Sequence, residues 1–241
     1  LRFMRRFYAS IEQFQTKTVT LGVEETRHLR DVLRLKETDK VKVFDGEGRE
    51  FLCEIEKIEK KESSLKIIEE VSPTAPESDL DLTLAVALLK GEKFDLVVQK
   101  AVELGVSRLV PLNTKRADVK LKETEKRLER WRKIALEAAK QSGRARLMRI
   151  DAPIDFEKFI ESANGTRILF AERNGESFSA VKESKKIVAA IGAEGGWEDA
   201  EIEAARKNGF QIVTLRGRIL RAETAAISIA AILQNRFGDL I

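Results

Sequence analysis

Arg216, Arg218 and Arg221 stand close together, with Gly217, Ile219 and Leu220 between them and Glu223 shortly after. Guanidiniums so crowded repel one another unless solvent or an anionic partner relieves them. Phosphate or carboxylate oxygens suit their planar donors. Ile219 and Leu220, embedded among the charges, point to packing against a ring whose substituents meet the polar groups. Glu223 falls at the start of a helical pattern, where a carboxylate gains from the helix dipole. A basic surface turn capped by a glutamate accounts for the same residues, and the sequence leaves both readings open.

A second glycine-bearing segment reads Ile191-Gly-Ala-Glu-Gly-Gly-Trp197. Gly192, Gly195 and Gly196 let backbone approach a ligand, and the helix opened by Trp197 and Glu198 offers N–H groups to a carboxylate or to hydroxyls. An ordinary strand-to-helix turn is the alternative. Each segment follows a β-type apolar run and precedes a helical pattern, so the two are expected at the ends of neighbouring strands, as a ligand cradle.

Other chemistries are excluded. Leu89-Lys-Gly-Glu-Lys93 follows the first strand of the α/β region where a dinucleotide fold needs GxGxxG, and no GxxxxGK[ST] sequence occurs. His28 is the sole histidine, which removes three-histidine and HExxH metal sites; a Ser–His–Asp triad would depend on that one residue. Cys53 is the sole cysteine, so neither an intrachain disulfide nor a thiolate metal site forms; it reads as a core thiol and fits a reducing cytoplasm. No metal is expected. Charged residues make up 35% of the chain with a net charge of +4, which permits a nucleic-acid partner without requiring one. No apolar stretch reaches bilayer length, and the basic N-terminus has no apolar signal segment, so a cytoplasmic chain is expected.

Positioning these segments requires an α/β framework. Residues 1–72 read as a β-rich unit with strands at Phe3–Ala9, Lys17–Leu21, Lys40–Asp45, Arg49–Lys57 and Ser64–Val71, and a helix over Glu24–Leu33. A small barrel leaves few free edges. Residues 73–78, within Ser72-Pro-Thr-Ala-Pro-Glu-Ser78, form a linker. Residues 79–241 alternate strand and helix, which predicts a parallel sheet covered on both faces. The predicted strands are Leu80–Leu88, Arg108–Leu112, Thr166–Ala171, Lys186–Ile191 and Phe210–Leu215. The predicted helices are Glu92–Leu104, Leu121–Gln141, Trp197–Asn208 and Ala222–Phe237. The last is apolar on nearly every side, which predicts deep burial or a subunit interface.

Taken in order along the chain, the motifs resemble those of the bacterial small-subunit (16S) rRNA uridine-N3 methyltransferases, within the knotted SPOUT superfamily. The matching segments are Met4-Arg-Arg-Phe7, His28-Leu-Arg-Asp-Val-Leu-Arg34, Gln99-Lys-Ala-Val-Glu-Leu-Gly-Val106, the stretch from Pro111 to Arg116, Arg130-Trp-Arg-Lys-Ile134, Glu137-Ala-Ala-Lys-Gln-Ser-Gly-Arg144 and the two glycine loops. The chain departs from the family pattern at Ala193, where proline is usual, and at Arg216, where the glycine falls one place later at Gly217.

The resemblance implies a C-terminal parallel sheet with a deep trefoil knot, preceded by a PUA-like β-barrel. It implies S-adenosylmethionine held by Ile191, Gly192, Glu194, Gly196, Leu215, Gly217, Ile219 and Leu220. The resemblance further implies a homodimer through the knot domain and, as acceptor, small-subunit rRNA within an assembled or nearly assembled subunit. With uridine N3 as the attacking atom, Arg221 is the candidate to stabilise its anion, and Glu223 to orient that guanidinium or accept a hydrogen bond. The basic residues Arg2, Arg5, Arg6, Arg30, Arg34, Arg116 and Arg144, with His28, are the expected RNA contacts; a solvated surface charge is the alternative for each arginine, and a structural role for His28. Two alternatives stay open: a SPOUT methyltransferase acting on another rRNA or tRNA nucleotide, and a non-catalytic RNA-binding protein on the same scaffold.

Overall fold

The computed structural model describes residues 4–119, 124–215 and 217–240. They divide into two compact units, one of residues through Glu77 together with Ala139–Leu147, the other of Ser78–Ala138 and the residues from Met148 onward.

The first unit is a five-stranded sheet ordered β1-β3-β4-β5-β2. Its strands are β1 (Arg6–Tyr8), β2 (Thr18–Leu21), β3 (Lys40–Phe44), β4 (Glu50–Ile58) and β5 (Ser63–Val71). The β1–β3 pair is parallel and the others antiparallel. Alternation explains the core: Val41 and Val43 of β3 are buried while Lys40 and Lys42 point away, and Val19, Leu21, Cys53, Ile55 and Leu65 complete it. The order runs from β1 to β2 without those two strands pairing among the described residues. The expected helix over Glu24–Leu33 is α1 (Val23–Arg27) continued by a π-helical turn, His28–Val32. Leu29 is fully buried in this wider turn and Val32 is exposed, and two residues beyond it Arg34 takes a φ of 53°.

The second unit is an all-parallel sheet ordered β11-β13-β10-β12-β6-β7-β8, with β9 pairing β7. Along the chain come β6 (Asp81–Ala87), α2 (Lys93–Glu103), β7 (Arg108–Asn113), α3 (Thr124–Ser142), β8 (Arg149–Ile150), β9 (Ile154–Asp155) and α4 (Phe156–Ser162). They are followed by β10 (Thr166–Phe170), β11 (Glu176–Ser177), β12 (Lys186–Ile191), α5 (Asp199–Lys207), β13 (Gln211–Thr214) and α6 (Ala222–Phe237). One core joins sheet residues Val110, Leu169 and Val188 to Phe156, Phe159, Trp197, Ile202 and Phe210. α6 packs on α2, β6 and β12, burying Ala226, Ile229, Ala230 and Leu233, while Ile232 on its other side is exposed.

One expectation needs correction. β12 and β13 are not neighbours, because β10 lies between them, with Phe170 opposite Ile191 on one side and Val213 on the other. The two glycine loops therefore flank the end of a third strand, and that strand's end enters the site.

Candidate functional site

The loops after β12 and β13 wall a cavity of about 590 Å³ at the C-terminal ends of the parallel strands. Ile191, Gly192, Glu194 and Gly196 line one side; Leu215, Gly217, Ile219 and Leu220 line the other, with Arg221. Every residue expected to hold the donor is thus brought to one cavity. Ala225 and Ile229 of α6 close its floor. Glu223 is not among the lining residues: Ala222, Ala225 and Ile229 share a helix face, and position 223 is turned away from it by about 100°. Its Oε2 is buried and has no hydrogen-bond partner among the described residues.

Backbone conformation explains the glycines. Gly196 has φ of 67° and Gly217 has φ of 113°, both in the region that glycine enters without steric cost. The second turn is thus drawn around Gly217; Arg216 lies outside the described residues. Gly196 N–H donates to the Ala193 carbonyl at 2.9 Å, which folds the first loop back on itself. Trp197 then buries its ring and donates Nε1–H to the Phe170 carbonyl. α5 starts two residues later than expected, behind Glu198, whose N–H is held by the Glu201 carboxylate at 2.8 Å.

Side chains from the segments that follow β6 and β7 reach the first loop. Lys93 Nζ lies 2.8 Å from Glu194 Oε1, and Arg116 Nη1 donates to the Gly195 carbonyl at 2.9 Å. Burial alone would raise the Glu194 carboxyl, but the Lys93 hydrogen bond and charge, with backbone donors, hold it below the usual carboxylate range.

The residues expected at RNA fall into different environments. Arg2 lies outside the described residues. Arg5 and Arg34 are exposed. His28 is half-buried, edge-on to Phe7 at 6.1 Å. Arg30 bonds Asp31 at 2.7 Å and reaches the carbonyls of Glu59 and Lys60. Arg6 is engaged inside the first unit: Nε meets Glu50 at 2.5 Å, Nη1 meets the Ala139 and Lys140 carbonyls, and Nη2 meets the Arg144 carbonyl. That places its charge at the C-terminal carbonyls of α3, where a cation complements the helix dipole. Glu50 is fully buried and also takes the Thr74 N–H at 2.7 Å. Arg144 is buried against Glu77 at 2.7 Å.

Sequence reasoning missed Phe170, Ala171 and Glu172, which line the cavity from the end of β10. The signal was present, since Glu172 directly follows a predicted parallel strand, where ligand sites collect. Arg173 beside it pairs with Glu172, bonds the Trp197 carbonyl at 3.0 Å and meets Asp199 at 2.8 Å.

Comparison with known proteins matches this architecture. The RNA methyltransferase domain family covers residues 76–234, and the RNA methyltransferase PUA domain family covers residues 21–68. A ribosomal RNA small subunit methyltransferase E of Synechocystis is 38% identical over 228 residues, covering 91% of this chain and 74% of that protein. The Aquifex aeolicus protein of the same name is 33% identical, covering 96% of this chain and all of its own length (100%). The crystal structure of the Neisseria gonorrhoeae protein of that name, bound to S-adenosyl methionine, superposes with a TM-score of 0.91 at 33% identity, covering 99% of this chain and 100% of that one. The chain belongs to the RNA methyltransferase family, in its branch of S-adenosylmethionine-dependent enzymes of small-subunit ribosomal RNA.

Proposed function

We propose that this chain methylates N3 of a uridine in 16S rRNA, with S-adenosylmethionine as donor. The observation that carries the reading is the single cavity formed by both glycine loops with Arg221 on its wall. The cavity fits the donor chemically. Its volume lies within the range of about 300–1,000 Å³ usual for cofactor sites. Ile191, Ile219, Leu220 and Ile229 offer apolar surface to a purine, loop backbone offers polar groups, and Glu172 offers a carboxylate to hydroxyls or an ammonium. When bound, the donor supplies an electrophilic methyl carbon on a sulfonium.

The chain's own residues make the acceptor reactive. Neutral uridine carries a proton on N3, so attack needs the anion. Arg221, exposed at the cavity wall, stabilises negative charge spread over N3 and the flanking uracil oxygens. Glu223, turned away from the lining face of α6, acts through that guanidinium by orienting it. The loops hold the two reactants in line, which supplies much of the acceleration, and the uridine must leave its stacked position to enter.

The same reading divides the chain into a PUA-like domain (1–72), a linker (73–78) and a knotted methyltransferase domain (79–241). The family matches at residues 21–68 and 76–234 support that division. It also carries a homodimer through the knot domain, supported by exposed Ile232 on α6 and Leu96 on α2, and small-subunit rRNA as partner, supported by exposed Arg5 and Arg34. The test is methylation of defined ribosomal particles and naked rRNA, with nucleotide-level mapping. A methyl group on uridine N3 supports the proposal; one on carbon, ribose O2′ or guanine N1 overturns it.

A further inference from the structure

The first glycine loop is held from outside by two other strand ends. Lys93, opening α2 just beyond β6, meets the Glu194 carboxylate at 2.8 Å. Arg116, in the segment after β7, donates to the Gly195 carbonyl at 2.9 Å. The stem of Arg116 also packs on Gly195 so closely that a Cβ added there would lie 3.1 Å from the arginine's own Cβ. β12, β6 and β7 are consecutive in the sheet, so the grips reach the loop from its first and second neighbours. Each fixes one of two adjacent residues midway between Gly192 and Gly196. The loop has its own internal bond, from Gly196 N–H to the Ala193 carbonyl, but Ala193 carries no ring to restrain φ.

We propose that Lys93 and Arg116 are positioning residues of the methyl-donor loop. They hold Glu194 and Gly195 so that the loop backbone is shaped for the donor before it arrives, and the donor then loses less free energy to ordering the loop. Glu194 in this arrangement acts through Lys93, as the anchored end of a strut. Arg116 has a second consequence: because it grips the donor loop, a change at this residue alters donor binding even with no RNA present. The inference rests on the proposed donor site.

The experiment is calorimetric titration of S-adenosylmethionine into the full chain without RNA. The set comprises the natural sequence, Lys93→Met, Glu194→Gln, the double variant Lys93→Met/Glu194→Gln, Arg116→Met and Arg116→Lys. Circular dichroism and thermal melting report whether each variant is folded. Expected is a donor Kd weaker by about three- to tenfold in Lys93→Met, Glu194→Gln and Arg116→Met. The double variant should be no weaker than the worse single, as for partners in one interaction, and Arg116→Lys should recover part of the loss. Steady-state kinetics should show a raised KM for the donor with kcat at saturation largely kept in Lys93→Met. Folded variants that bind the donor as tightly as the natural sequence overturn the inference and leave the donor site standing, as would additive losses in the double variant for the Lys93–Glu194 strut. A natural sequence that binds no donor overturns the donor site and the inference with it.

Discussion

Trp197 donates its indole N–H to the carbonyl of Phe170 at 2.9 Å, a buried bond between two residues that line the cavity. The bond ties the end of the first glycine loop to the strand between β12 and β13. Both glycine loops thereby share one wall. Trp197→Phe keeps most of the ring but leaves a buried carbonyl without its donor. It should cost about 1–3 kcal/mol of stability, read as a lower denaturation midpoint with an unchanged slope in urea.

Arg221 is expected to act on the acceptor. Arg221→Ala should lower the single-turnover rate of methyl transfer by about 100-fold while changing donor affinity far less. An unchanged rate with saturating RNA and donor eliminates Arg221 from this role.

Glu223 carries a buried oxygen that finds no hydrogen-bond partner among the described residues. Glu223→Gln should therefore leave stability within about 0.5 kcal/mol or raise it slightly. If the carboxylate takes a hydrogen bond during transfer, kcat should fall at least about tenfold. A drop in melting temperature with full activity would mark Glu223 as a purely structural residue.

Arg6 and Arg5 are adjacent in sequence and opposite in environment. Arg6→Ala leaves buried Glu50 with only Lys42 at 3.3 Å and Thr74 as partners and should destabilise the fold by about 1–3 kcal/mol, measured by chemical denaturation. Arg5→Ala should leave the midpoint unmoved and weaken RNA binding with a shallower salt dependence. Equal melting temperatures for the two variants would contradict the buried network.

The Glu194 carboxyl sits below its usual range because of Lys93 and backbone donors, despite some burial. A depressed carboxylate pKa contributes its stabilisation in full above the unfolded value, and the contribution is lost as pH falls through the folded value. The loop, and donor binding through it, should accordingly hold steady near neutrality and weaken only as pH falls through the lowered range of this carboxyl. Glu194→Gln should remove that acid-limb loss, which titration calorimetry across the range will detect.

Long periodic segments were legible: α6 and β12 have the ends that apolar spacing predicts, and α2 differs by one residue at each end. β8, β9 and β11 were not, because two residues carry no period. α4 is a single short amphipathic stretch in a region without a start signal beyond Asp155. The π-helical turn after Arg27 escaped because Leu29 and Leu33 fit ordinary helical spacing too. At the site, glycine and arginine types disclosed both loops. The place of β10 between them did not follow from chain order, so Glu172 went unnoticed. Arg6 shows the limit of charge clustering: three arginines near one terminus look alike in sequence, and only burial opposite Glu50 distinguishes this one.

Cys53 is fully enclosed by the first unit's core, and that burial pushes its thiol up to about 12. Thiol reagents attack the thiolate, so the folded chain is close to silent toward a maleimide at neutral pH. A cysteine installed in the second glycine loop would then be the one reactive position, ready for a fluorophore without removing the native residue. Conversely, any slow labelling of Cys53 times the transient opening of the small sheet around it, giving the chain a built-in clock for the breathing of one unit.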